Sequence, residues 1–125
     1  MADKLSSRQQ AMLVVLNSLP AQFSHIHRLI EEIASPRPDE TLNRRLVRLL
    51  DQVKGATSAV GLSNLTQTLA MMAMMARRTG GHQMKIRGLR EGLGSLKVNF
   101  DGALKEAKRI EQAEAPPPPD DPPLV

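Results

Sequence analysis

The chain has 125 residues, a formal charge of +4, no cysteine, tryptophan or tyrosine, and two phenylalanines. That length suits one domain, and the lack of cysteine excludes disulfides, thiolate metal sites and cysteine nucleophiles. No run approaches the roughly 18 apolar residues of a membrane span, and the polar start Met1-Ala2-Asp3-Lys4 lacks a signal peptide's apolar core, so the expectation is a cytoplasmic protein with no membrane contact.

The apolar residues are mainly Leu, Met, Ala, Ile and Val, a set that suits helices. The first helical stripe runs Met12, Leu16, Leu19, Phe23, Ile26, Ile30 and Ile33, in steps of three and four. Pro20 falls inside it and predicts a kink. The stripe keeps its phase, so one kinked helix is expected over about Ser7 to Ala34, ended by Ser35-Pro36-Arg37-Pro38. A second helix, capped by Asp39 or Thr41, carries Leu42, Leu46, Leu49, Val53, Ala56 and Val60, and stops at Gly61. The third runs from Ser63 through Leu65, Leu69, Met72 and Ala76 to Arg78. Its Arg77 and Arg78 suit the negative end of the helix dipole, and Thr79-Gly80-Gly81 breaks it. The fourth, about His82 to Gln112, carries Ile86, Leu89, Leu93, Leu96, Phe100, Leu104, Ala107 and Ile110. Gly88, Gly92, Gly94 and Gly102 interrupt it, as sites of close helix contact or as points of weakened helicity.

Short connections between long helices imply antiparallel neighbours. The expected fold is therefore an all-α, up-down four-helix bundle over residues 1–113. Residues 114–125, Pro-rich, form an expected disordered tail. Glu114, Asp120 and Asp121 are the tail's charges, so the bundle itself carries +7.

The second helix holds the pattern that points to a function. Arg48, Asp51, Gly55 and Ser58 share a face opposite the core stripe, with Lys54 beside them. Glycine in mid-helix is costly, and close approach by another molecule is one reason to keep it. Read on its own, Asp51 pairs with Arg48 and Lys54 at three-residue spacing.

This stretch, Arg48-Leu49-Leu50-Asp51-Gln52-Val53-Lys54-Gly55-Ala56, then Val60-Gly61-Leu62, then Leu65 and Leu69, resembles histidine-containing phosphotransfer (HPt) domains. These are the modules of bacterial and plant phosphorelays whose signature helix reads approximately Arg-x-x-His-x-Leu-Lys-Gly-small. The specific match covers about thirty residues, and helix count and order extend it over Ser7 to Gln112. Asp51 stands where the family has its phosphorylated histidine. A carboxylate there cannot supply the nucleophilic imidazole nitrogen. The family's later glutamate is also missing; Met71, Met72, Met74 and Met75 occupy its region.

The resemblance therefore implies a pseudo-HPt protein of a two-component system. It would be non-enzymatic, without cofactor or metal, and would bind a response-regulator receiver domain or a histidine kinase through Arg48, Asp51, Lys54, Gly55 and Ser58. A receiver's acidic phosphoacceptor pocket would suit the basic residues and repel Asp51 unless a divalent cation bridged them. His25, His27 and His82 are the only other candidate phosphoacceptors. A monomer or weak dimer is expected.

Two readings from other classes stand beside this one. One is a helical adaptor unrelated to phosphorelays. The other is a basic nucleic-acid-associated bundle built on Arg77, Arg78, Lys85, Arg87 and Arg90; the scarcity of aromatic stacking platforms disfavours it. The Met71–Met75 cluster reads as core filler or, less readily, as an adaptable binding surface.

Overall fold

The computed structural model describes residues 7–35, 39–78 and 81–114, with side chains as far as Glu111. Glu114, the first residue of the expected tail, still belongs to the fourth helix; the rest of that tail and the proline break at residues 36–38 lie outside the described residues. Four helices and no strand are found among them: α1 (Ser7–Ile33), α2 (Glu40–Ala59), α3 (Ser63–Arg77) and α4 (His82–Glu114). The helix α1 continues through Pro20, whose ring stands on the exposed side. No helix among the described residues is long and apolar enough to cross a membrane.

Local chemistry explains the boundaries. The Asp39 carboxylate accepts from the Thr41 backbone N–H at 2.9 Å, satisfying one of the donors left free at the start of α2. At the other end the Leu62 N–H donates to the Thr57 carbonyl at 2.9 Å and the Gly61 N–H to the Ser58 carbonyl at 3.1 Å. This Schellman arrangement needs a left-handed residue, and Gly61 supplies it with φ of 77°.

Each helix packs on two neighbours in the cyclic order α1, α2, α3, α4, and the diagonal pairs do not meet. Every cross-helix contact runs in antiparallel register. Asn43 of α2 reaches Ala76 of α3, Asn99 of α4 reaches Thr68 of α3, and Arg90 of α4 reaches Glu31 of α1. Phe23 and Phe100 meet edge to face across α1 and α4, with ring centroids 5.6 Å apart, a favoured aromatic geometry.

The core consists of the expected stripes, with one correction. Leu16, Leu19, Ile26, Ile30, Leu46, Leu65, Leu69, Met72, Leu89 and Leu96 are all essentially inaccessible. In α2, however, Ala56 is exposed and Thr57 is fully buried. From Val53 a three-residue step reaches Ala56 and a four-residue step reaches Thr57; both are helical, and hydropathy favours alanine. The polar residue is buried because its hydroxyl has partners, the Lys54 carbonyl at 3.0 Å and the Thr66 hydroxyl of α3 at 2.8 Å.

The four glycines of α4 divide into two kinds. A Cβ on Gly92 would lie 2.6 Å from Met72 Cγ, and one on Gly88 would lie 2.2 Å from Met75 Sδ. Neither could be accommodated without movement, so these two glycines let α3 side chains approach the α4 backbone. Gly94 and Gly102 face open space, and there the glycine only weakens the helix.

Candidate functional site

The outer face of α2 is exposed by the same periodicity that buries Leu46, Leu49, Leu50 and Val53. Arg48, Gly55 and Ser58 are exposed, and Asp51 and Lys54 are half-buried. A Cβ placed on Gly55 would meet nothing within 4 Å, so this position presents bare backbone to solvent.

Asp51 is the electrostatic centre of this face. Its carboxylate accepts from the Arg77 guanidinium of α3, and Lys54 Nζ lies 3.7 Å from its other oxygen. The side chain retains 37 % of its exposure, so these are surface ion pairs that fix geometry more than they stabilise the fold. Arg48 does not pair with Asp51. The three-residue spacing permitted that contact, but Arg77 takes the oxygen instead, leaving Arg48 with no ion pair among the described residues. Asp51 is thus matched by two cations and Arg48 adds a third, which makes the face net positive despite the carboxylate.

A groove of about 750 Å³ opens between α2 and the end of α3, lined by Asn43, Arg44, Val47, Arg48, Asp51, Gln52 and Arg77. It brings together Arg48 and Asp51 of the expected docking set. Lys54 joins them through its ion pair, while Gly55 and Ser58 lie further along the helix, on the same face but outside the groove. Asn43 holds the groove's end by donating from Nδ2 to the Ala76 carbonyl at 2.9 Å, which satisfies a terminal acceptor of α3. Neither Asn43 nor Arg77 could be placed here from the sequence. They lie 33 and 26 residues from their partners, and only the antiparallel packing of α2 on α3 joins them.

The three histidines all lie away from α2. His25 and His27 are exposed on α1, and His82 is exposed at the first residue of α4. His27 faces the α1–α4 seam, where it lines a groove of about 440 Å³ with Pro20, Phe23, Ser24, Lys97, Phe100 and Asp101. Beside it Arg90 donates to both Glu31 oxygens, at 2.9 and 2.7 Å. That guanidinium holds the Glu31 carboxyl below the usual carboxylate range, and the charge of His27 adds to the effect.

The basic residues around the α3–α4 turn are partly neutralised. Arg77 pairs with Asp51, Arg87 with Glu91 at 3.4 Å and Arg90 with Glu31, whereas Arg78 and Lys85 have no ion pair among the described residues. The methionines also divide. Met72 is core and Met75 is half-buried against Gly88, but Met71 and Met74 are 64 % and 60 % exposed.

No family model, no curated protein and no solved structure matches the chain.

Proposed function

We propose that the chain is a non-catalytic, HPt-like interaction module of a two-component phosphorelay, which docks a receiver domain or a histidine kinase on the outer face of α2. The observation that carries this reading is the double pairing of Asp51 with Arg77 and Lys54. A carboxylate at the phosphoacceptor position would repel an acidic receiver pocket if it stood alone. Tied to two cations, and with Arg48 beside it in no ion pair among the described residues, it leaves a positive surface that an acidic pocket complements without a bridging metal ion. Bare backbone at Gly55 allows a partner to approach the helix closely. With no histidine on α2, this face has no imidazole nucleophile, and the module would modulate or scaffold signalling rather than transfer phosphate.

The test uses a panel of receiver domains and histidine-kinase fragments, measured by calorimetry and by phosphoryl transfer. Saturable binding that weakens at least about tenfold in Lys54→Glu and Arg48→Glu is expected, as for charge reversal in a complementary interface. No acid-labile label should pass to the wild-type chain. Label that disappears on changing His25, His27 or His82 would return the protein to the phosphotransfer class. Binding to no receiver and no kinase would leave a helical adaptor of another system, and a salt-dependent shift of DNA in its place would make the third reading correct.

A further inference from the structure

We infer that the outer face of the α3–α4 hairpin is a second docking surface, separate from the α2 face, and that it accepts an acidic amphipathic helix from a partner protein. The large apolar side chains that folding leaves in water are concentrated here. Five are strongly exposed among the described residues, and four of them, Met71, Met74, Met84 and Val98, belong to α3 and α4. Exposed apolar side chains scattered singly need no explanation, but a contiguous group marks a surface that another molecule covers.

The register sets three of these methionines along one seam, on either side of Met75. Met75 lies against Gly88 and Met72 against Gly92, so α3 and α4 run antiparallel with those positions level. Met71 is one turn before Met75 on α3, with Met74 beside it on the outer side. Met84 is one turn before Gly88 on α4, and because the helices are antiparallel it lies on the far side of the Met75–Gly88 level from Met71, about two turns along the seam. The helical period therefore sets Met71 and Met74 on one bank and Met84, 80 % exposed, on the other. Half-buried Met75, seated on Gly88, lies between the two banks and links them. A shallow trough between two antiparallel helices is the shape that takes a third helix by ridge-into-groove packing. Flexible, polarizable thioethers adapt to the side chains of such a partner.

Charge decides the kind of helix. Arg78 and Lys85 stand at the turn end of this trough with no ion pair among the described residues, while Asp51 of α2 and Glu91 of α4 are already engaged by other cations. A partner carrying Glu or Asp beside its apolar stripe would supply the missing charges. A second copy of this chain, meeting the trough with its own Arg78 and Lys85, would oppose like charges at close range.

The test uses the full chain labelled with [methyl-13C]methionine and synthetic helical peptides of about 18 residues, with Leu at i, i+3, i+4 and i+7. In one peptide Glu flanks the Leu stripe and in the other Lys does. The Glu peptide should shift the methyl signals of Met71, Met74 and Met84 while that of Met72 stays nearly fixed. Met71→Ser with Met74→Ser, and separately Arg78→Glu, should each weaken it by about tenfold or more, as expected for central apolar and paired charged contacts. The receiver or kinase binding measured for the α2 face should survive the double methionine substitution, so failure of either surface is distinguishable from failure of the other. Equal binding of the Lys peptide, shifts confined to other methionines, or no binding would overturn the proposal. Concentration-dependent dimerisation that Met71→Ser with Met74→Ser abolishes would also overturn it, by making a second copy the occupant.

Discussion

The two seams of α3 are built by different chemistry. Toward α4 the contact is chiefly one of shape: Met72 and Met75 fill the spaces at Gly92 and Gly88, and one polar tie, Asn99 to Thr68 at 3.0 Å, closes the far end. Toward α2 there are polar ties along the whole length, from Asn43 on the Ala76 carbonyl, through Asp51 and Arg77, to the buried Thr57 and Thr66 hydroxyls. Those two hydroxyls have three contacts between them, two to backbone carbonyls and one to each other. Two hydrogens cannot serve three bonds at once, so the hydroxyls share them. The contrast shows that one short helix can be located on one side by volume and on the other by hydrogen-bond direction. The site proposed on α2 lies on the directional side, where Arg77 is held for Asp51.

The largest expected effect sets the scale for packing. Leu49→Ala should cost about 2–5 kcal/mol, as a buried large-to-small change, whereas Asp51→Ala on the same helix should stay within about 1 kcal/mol. Chemical denaturation of both variants measures this, and comparable losses would mean that the ion pairs, not the core, hold α2 in place.

Gly92→Ala comes next and probes the shape-built seam. The added methyl meets the inner part of buried Met72, so a loss of about 1–3 kcal/mol is expected despite alanine's better helix propensity. Gly88→Ala meets the flexible end of half-buried Met75, which can swing aside, and should be close to neutral. Equal effects at the two positions would show that Met72 repacks as freely as Met75. Gly94→Ala is the control in open space and should stabilise by up to about 1 kcal/mol.

Thr57→Val addresses the directional seam. It keeps the buried volume and removes the hydroxyl, so the expected loss is about 1 kcal/mol, the net worth of one hydrogen bond. A valine variant as stable as the parent would reduce the Thr57–Thr66 contact to a coincidence of packing.

The smallest effect is electrostatic and belongs to neither seam of α3. The Glu31 carboxyl is depressed in the folded chain by Arg90, so its contribution is present above the unfolded-state value near 4.5 and is lost as pH falls through the lower folded value. Arg90→Gln should therefore lower stability slightly at neutral pH and flatten the acid limb of a stability–pH curve, so that variant and parent converge as the carboxyl is protonated below about pH 4.5, with the difference shrinking in high salt. A difference that persisted undiminished in acid would mean that Arg90 acts through packing rather than through the Glu31 charge.

Helix ends and faces were legible in the residues because their causes are local. Asp39 caps α2, Gly61 takes the left-handed turn, Ser63 opens α3, and steps of three and four from Met12 to Ile33 keep one face of α1 apolar through Pro20. The exposed face of α2, with Arg48, Asp51, Lys54, Gly55 and Ser58, followed from the same periodicity. What the tertiary structure alone decided depends on which atoms stand opposite. Thr57 is buried in place of Ala56 because Thr66 of another helix satisfies it, and Arg77 rather than Arg48 takes the Asp51 carboxylate. Likewise Gly88 and Gly92 receive methionines while Gly94 and Gly102 receive none. A helical period specifies direction around one axis. The partner in that direction is chosen by the register of two axes, which no single stripe of residues encodes.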